Sequence, residues 1–178
     1  MEYLAVKREK LPREFFADNT TVVAQKMLGQ VLVFNEYQGI ITETESYRGA
    51  DDPASHAYRR ATPRSKIMFG TPGFAYVYIT YGMYHCLNIV TESDGEPGAV
   101  LIRGLKLITP ETMVLNGPGK LCRQLKITKE NNNTDLIDNE NFYVAKGEII
   151  TDFITTPRIG IKNGLDKQWR FLASHLYD

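Results

Sequence analysis

The residues of this chain best suited to proton chemistry are two glutamates on one apolar strand and an arginine on another. ITETESY (41–47) reads as a strand, and alternation puts Ile41, Glu43, Glu45 and Tyr47 on one face and Thr42, Thr44 and Ser46 on the other. A solvent-facing acidic stripe has the same pattern. Arg103 shifts the balance. In AVLIRG (99–104) it shares a face with Ala99 and Leu101, on a strand apolar enough to be core. An arginine there needs a partner, because an unpaired buried charge is very costly. Glu43 or Glu45 meets that need, either as a structural salt bridge or as an acid–base pair tuned by burial.

Aromatic residues crowd the same block. Five of the ten tyrosines fall between positions 58 and 84. Tyr76 and Tyr78 share one strand face, Tyr81 sits at a turn beside Gly82, and His56 follows DDPAS in a loop-like stretch. Core or cross-strand packing is the reading for most of Tyr76, Tyr78 and Tyr84. Tyr81 is different, because a large side chain exposed at a turn marks a contact surface. Aromatic faces beside one acid and one base describe a pocket that stacks a flat ligand and moves a proton near it.

The elements that must position these residues follow from the hydrophobic pattern. Asn19 or Thr20 caps an expected helix over 22–28 that Gly29 stops. Strands are expected at 30–34, 39–47, 74–80, 84–90 and 99–107, with 74–90 forming a hairpin around Tyr81-Gly82-Met83. The stretch 49–71, rich in Asp, Pro, Arg and Gly, reads as a long loop with at most a short helix, and such loops are often functional. Segments 110–115 and 117–125 read as helical, 130–141 as a polar loop, and 142–145, 157–161 and 169–173 as short closing strands. The sum is an α+β fold, a single domain over 1–178 with a curved, largely antiparallel sheet and surrounding helices.

Length and composition agree with one globular unit: 178 residues, 43% hydrophobic and 24% charged. No apolar run is long enough to span a bilayer, and MEYLAVKREKLPREFF lacks the apolar centre of a signal peptide, so a cytoplasmic protein is expected. Cys86 and Cys122 are isolated, which speaks against a disulfide scaffold or a zinc site. Net charge is zero, unlike the usual nucleic-acid binder, yet the basic residues cluster. Arg59, Arg60, Arg64 and Lys66 form one group; Lys120, Arg123, Lys126 and Lys129 recur at roughly helical spacing. Each group also reads as a solvated face. NGPGKL (116–121) lacks the first glycine and the Ser/Thr of a Walker A loop, and no zincin, zinc-deaminase or GxSxG pattern occurs. No cofactor or metal is expected.

Taken in order, ETESYRG, His56, TPR, MF, PG, YVYITYGMYHCLNI, LIRG and NGPGKLC resemble the alkyladenine (3-methyladenine) DNA glycosylases, base-excision repair enzymes of the methylpurine type. The resemblance runs from LPREFF (11–16) to WRF (169–171), and the length resembles a bacterial member. It implies double-stranded DNA carrying alkylated purines as the partner, a monomer, and a place in the bacterial cytoplasm at the nucleoid. By the same resemblance Glu45 is the general base that activates water, and Arg103 helps hold that water and the glutamate. Tyr47, His56 and Tyr78 sandwich a flipped base, Asn88 shapes the pocket floor against guanine, and Tyr81 enters the duplex as a wedge. A backbone carbonyl near the C-terminus, in the region of Ala173, also holds the water. Arg59, Arg60, Arg64 and Lys120 are candidates for phosphate contacts. His85 has no assigned role. Two other readings compete: a non-catalytic nucleic-acid module that stacks bases on the aromatic hairpin, and a small-molecule enzyme such as a nucleoside hydrolase. The first needs neither Glu45 nor Arg103, and the second does not need Tyr81.

Overall fold

In the computed structural model of the chain, residues 7–178 are described; residues 1–6, the start of the stretch read for a signal peptide, lie outside the described residues. A short helix, α1 (Arg13–Phe16), leads into α2 (Thr20–Lys26). Asn19 is the N-cap of α2, its side chain accepting from the Thr21 N–H at 2.9 Å. Val23 and Ala24 of α2 are fully buried, and Gly29 takes φ +85° just past its end.

Among the described residues nine strands then build one curled antiparallel sheet: β1 (Val31–Phe34), β2 (Tyr37–Tyr47), β3 (Ala75–Thr80), β4 (Tyr84–Val90), β5 (Ala99–Thr109), β6 (Met113–Asn116), β7 (Phe142–Ala145), β8 (Ile154–Thr156) and β9 (Arg170–Leu172). The spatial order is β3-β4-β5-β2-β1-β7. The long strand β2 is the spine. One edge pairs along β5, while the other pairs first with β1 and then with β9. One face of the sheet carries the main core, where Leu32, Ile41, Leu87, Ile102 and Leu105 pack with Met27 and Leu28 and with α3 (Pro118–Leu125). Leu121, Cys122 and Leu125 of α3 are fully buried in this layer. The opposite face carries a smaller cluster, Ala57, Met68, Tyr76, Val90 and Ala99, under the 49–71 loop. The architecture is the expected α+β single unit with a curved antiparallel sheet.

Several segments depart from expectation: α1 and β8 are not among the expected elements, and 110–112, read as helical, is irregular. Residues 113–115, read within a helix, belong to β6, which folds back on β5 in the register Lys106↔Val114. Four residues cannot separate a period of two from one of 3.6, and the ladder to β5 decides the outcome. Residues 157–161, read as a strand, follow β8 as irregular chain. Arg158 turns fully inward there, Gly160 takes φ +75°, and the Ile159 N–H is given to a side chain rather than to a ladder.

The pairing of β2 with β5 is irregular where the chemistry sits. Ile41 faces Leu105 and Glu43 faces Gly104, but Thr44 faces Ile102, so Thr42 on one strand and Arg103 on the other are extra residues. A β-bulge re-aims side chains, and this one brings Arg103 toward both glutamates. It also draws the strands together at Gly104, where a Cβ would lie 2.6 Å from Thr42 Oγ1 and 3.1 Å from Glu43 Cβ. Gly104→Ala is therefore expected to destabilise the fold by about 1–3 kcal/mol through overpacking, read as a drop in denaturation midpoint at unchanged slope.

Candidate active site

The register of four strands collects the candidate residues into adjacent rows on one sheet face. Tyr76 lies opposite Asn88, Asn88 opposite Leu101, Leu101 opposite Glu45, and Glu45 opposite Arg170. Two residues along, Val90, Ala99 and Tyr47 form the next row, and on the other side Tyr78 lies opposite Cys86. Residues at period two share a face. The sheet alone therefore gathers Glu45, Tyr47, Tyr76, Tyr78, Cys86 and Asn88.

These residues line a cavity of about 730 Å³. Its walls are completed by His56 and Arg64 from the long loop, Arg103, the hairpin tip at Tyr81, the start of α3 including Lys120, and residues 159–161. Glu45, Arg103, Tyr47, His56, Tyr78, Asn88, Tyr81, Arg64 and Lys120 of the expected set are thus brought together. Arg59 and Arg60 are not; both are exposed on the loop outside the lining.

Of the two glutamates, only Glu45 reaches the cavity, and it is 0% exposed. Its Oε1 accepts from the Tyr47 hydroxyl at 2.9 Å and its Oε2 from the Ile159 N–H at 2.7 Å. Burial pushes its carboxyl above the usual range, opposed by Arg103, the Ile159 N–H, the Tyr47 hydroxyl and Arg158. A carboxyl whose pKa is raised above its ordinary value is a stronger proton acceptor when ionised, as a general base requires. Burial and the neighbouring Glu45 charge raise the Tyr47 hydroxyl far above its normal range, so it stays a donor.

Glu43 resolves the question of Arg103's partner. Arg103 Nε donates to Glu43 Oε1 at 3.0 Å and stands 3.8 Å from Glu45 Oε2. Glu43 Oε1 also accepts from Arg170 Nε at 2.5 Å, and its Oε2 from the Tyr177 hydroxyl at 3.3 Å. Arg103 is thereby anchored by one glutamate and faces the other.

The aromatic walls are ordered by contacts among themselves. His56 Nδ1 and the Tyr76 hydroxyl are 3.0 Å apart, and the His56 ring packs edge-on to Tyr78 at 4.8 Å between centroids. Desolvation, with the nearby Arg64 charge, lowers the His56 pKa and keeps the ring neutral near pH 7. Asn88 is buried and donates from Nδ2 to the Tyr76 carbonyl at 3.2 Å, so its amide is fixed against the floor. Arg64 already has partners: its guanidinium lies 4.6 Å from the Tyr78 ring centroid and donates to the Ile79 carbonyl at 3.0 Å. Lys120, exposed at the mouth, donates to Asn116 Oδ1 at 2.9 Å.

Tyr81 is 84% exposed and takes φ +51° beside Gly82 at φ +68°. A bulky residue in the left-handed region is an outlier that persists where structure or function demands it. Met83 and Tyr84 extend the exposed apolar tip beside it, at 66% and 50%.

Two residues absent from the expected set matter. Arg158 and Asp52 form a fully buried bidentate pair, both bonds 2.7 Å, and Arg158 also donates to the Ser46 carbonyl at 2.8 Å. Nothing in DDPAS or PRIG distinguishes them as partners, because a pair 106 residues apart is visible only in the fold. Ala173, by contrast, is core: its N–H donates to the Thr42 carbonyl, and it is not among the lining residues. The C-terminal backbone that touches Glu45 belongs to Ile159.

Known proteins resemble this chain over nearly its full length. The sequence model of the family described as methylpurine-DNA glycosylase (MPG) matches residues 14–176. A protein of Ehrlichia chaffeensis (strain ATCC CRL-10679 / Arkansas) named "Putative 3-methyladenine DNA glycosylase" is 54% identical over 170 residues, covering 93% of this chain and 94% of its own. One of the same name from Sodalis glossinidius is 55% identical over 161 residues, covering 90% and 95%.

Proposed function

The chain belongs to the methylpurine-DNA glycosylase family, and from that premise we propose that it flips an alkylated purine, 3-methyladenine or a related lesion, out of duplex DNA and hydrolyses its N-glycosidic bond with a water activated by Glu45, leaving the strand uncut. Membership makes it a DNA glycosylase, a hydrolase of N-glycosyl bonds acting on DNA. The observation that carries the finer reading is the place of Glu45. It is a fully buried carboxylate in an aromatic cavity, with one oxygen on a phenol and the other on a backbone N–H.

A base inside a duplex is out of reach, so extrusion costs a few kcal/mol. Stacking on Tyr47, His56 and Tyr78 returns roughly 1–3 kcal/mol per base in comparable sites, and Tyr81 fills the gap left in the helix. Alkylated purines that carry positive charge are attracted to the faces of electron-rich rings. They are also good leaving groups without prior protonation. Glu45 then takes a proton from water and its charge steadies the oxocarbenium-like sugar, while Arg103, fixed by Glu43, faces the carboxylate and its water. Asn88, held on the floor by its bond to the Tyr76 carbonyl, disfavours the exocyclic amine of guanine in this reading. No lysine lies among the cavity residues except Lys120 at its mouth, which favours direct hydrolysis over an amine-linked intermediate. Arg59, Arg60, Arg64 and Lys120 meet phosphates in this reading, with Arg64 exchanging its Tyr78 contact for one. The protein acts as a monomer on cytoplasmic, nucleoid DNA. Among the described residues no helix is long and apolar enough to cross a membrane.

The test is a duplex oligonucleotide carrying one alkylated purine. Free base is expected with the strand intact until alkali is added, and binding should weaken with salt at a slope of about −0.9 per phosphate contacted. Release from free nucleosides but not from duplex would overturn the reading in favour of a nucleoside hydrolase. Tight binding without release would favour a stacking module.

A further inference from the structure

We propose that Arg158, clamped by Asp52, is a positioning residue that holds both hydrogen-bond partners of Glu45 in place; this rests on the functional reading of Glu45 given above. The two donors to the Glu45 carboxylate come from different parts of the chain. Tyr47 is on β2, whereas Ile159 is in the irregular segment after β8. That segment has little burial of its own: Ile159 is 48% exposed, and Gly160 has open space around its Cα. What fixes it is the side chain between them. Arg158 is 3% exposed, and its two terminal nitrogens grip both oxygens of Asp52 while one also reaches the Ser46 carbonyl next to Glu45. Its guanidinium lies 4.7 Å from the Tyr47 ring centroid and 5.2 Å from that of Trp169. Gly164 closes over it, since a Cβ there would stand 2.8 Å from Nη2.

One planar cation therefore backs the Tyr47 ring, whose hydroxyl holds Oε1, and anchors the backbone whose N–H holds Oε2. A lysine would keep the charge but lose the fork that spans Asp52 and Ser46. The purely structural alternative is a salt bridge that only stabilises the loop. The two differ in what happens to Glu45. The groups that act on its carboxylate are Tyr47 from β2, Cys86 from β4, Arg103 from β5, and Arg158 with the Ile159 N–H; Arg170 of β9 is its register partner, and Glu43 shares Arg103 with it. The Ile159 N–H and Arg158 both favour the charged form. Loosening them shifts Glu45 further toward its protonated form and moves the acid limb of the rate profile to higher pH.

The experiment uses the full chain with Arg158→Lys and, separately, Asp52→Asn. Folding is checked by thermal melting, the Glu45 carboxyl is titrated by ¹³C NMR, and single-turnover base release from lesion duplex is followed against pH. In folded variants the Glu45 midpoint is expected to rise, and release at neutral pH to fall on the order of 10²-fold, with part of the loss recovered at higher pH. The double variant should lose no more than the worse single one, because the two residues act as a unit. An unchanged Glu45 midpoint in either folded variant overturns the proposal. So does a loss of rate that is uniform across pH. The NMR arm does not need turnover, so a wild type that releases no base overturns the functional reading and leaves this claim to be decided by the titration.

Discussion

Glu45→Gln is expected to abolish most base release while leaving the fold at least as stable as before. The rate loss should be roughly 10²–10⁴-fold, the usual contribution of a positioned general base, measured in single turnover on lesion duplex at pH 7. Glutamine keeps the volume; its carbonyl oxygen can accept from the Ile159 N–H while its amide donates to the Tyr47 hydroxyl oxygen, so the cavity need not collapse. The stability claim follows from linkage. Burial raises the Glu45 pKa in the folded protein, so the folded state binds a proton more tightly than the unfolded chain. That advantage is fully present below the unfolded carboxyl pKa and is lost as pH rises through the folded one. Above both, a charged Glu45 costs stability that a neutral amide does not. The melting temperature of Glu45→Gln should therefore exceed that of wild type at neutral pH, and the gap should close on acidification toward the ordinary carboxyl range. A variant both inactive and much less stable at pH 7 would mean that Glu45 is chiefly a structural anion. Near-normal activity would remove it from the mechanism.

The same carboxylate shows where sequence reasoning reaches and where it stops. Period-two alternation placed Glu43, Glu45 and Tyr47 together, and the bond from the Tyr47 hydroxyl to Glu45 follows from it; Ile41, read on that same face, packs instead in the main core on the other side, because the bulge at Thr42 shifts the alternation by one residue. Which glutamate takes Arg103 was undecidable from alternation, because the answer depends on a double bulge that offsets β5 against β2. The aromatic hairpin was legible because its period and turn residues are local. The β6 strand and the 157–161 segment were not, since β6 exists only through its ladder to β5, and 157–161 is shaped by a side-chain anchor from position 52. Arg158 and Asp52 carried no local signal of any kind. The family resemblance points to a backbone carbonyl near Ala173; Ala173 is buried away from the cavity lining, and the backbone group that meets Glu45 is the Ile159 N–H, a donor brought there only by the fold.

Tyr81→Asn is expected to strengthen the hairpin and weaken the enzyme, a combination that only a functional role for Tyr81 explains. Both central residues of the Thr80–Met83 turn have positive φ, the conformation in which Asn-Gly is strongly preferred and a tyrosine is strained. Relief of that strain is worth about 1 kcal/mol. With 84% of Tyr81 exposed, little packing is lost to offset it. The melting temperature should hold or rise. On duplex DNA, however, the flipped state loses the ring that fills the vacated stack. If that ring supplies even half of a flipping cost of a few kcal/mol, release should fall at least about tenfold. A lesion in single-stranded DNA has no stack to fill, so its release should change far less. The decisive quantity is the duplex-to-single-strand ratio of release rates in wild type and variant. A ratio that drops by tenfold or more marks Tyr81 as a wedge. An unchanged ratio, with the variant folded, makes Tyr81 an ordinary exposed aromatic and leaves extrusion to be explained by the stacking walls of the cavity alone.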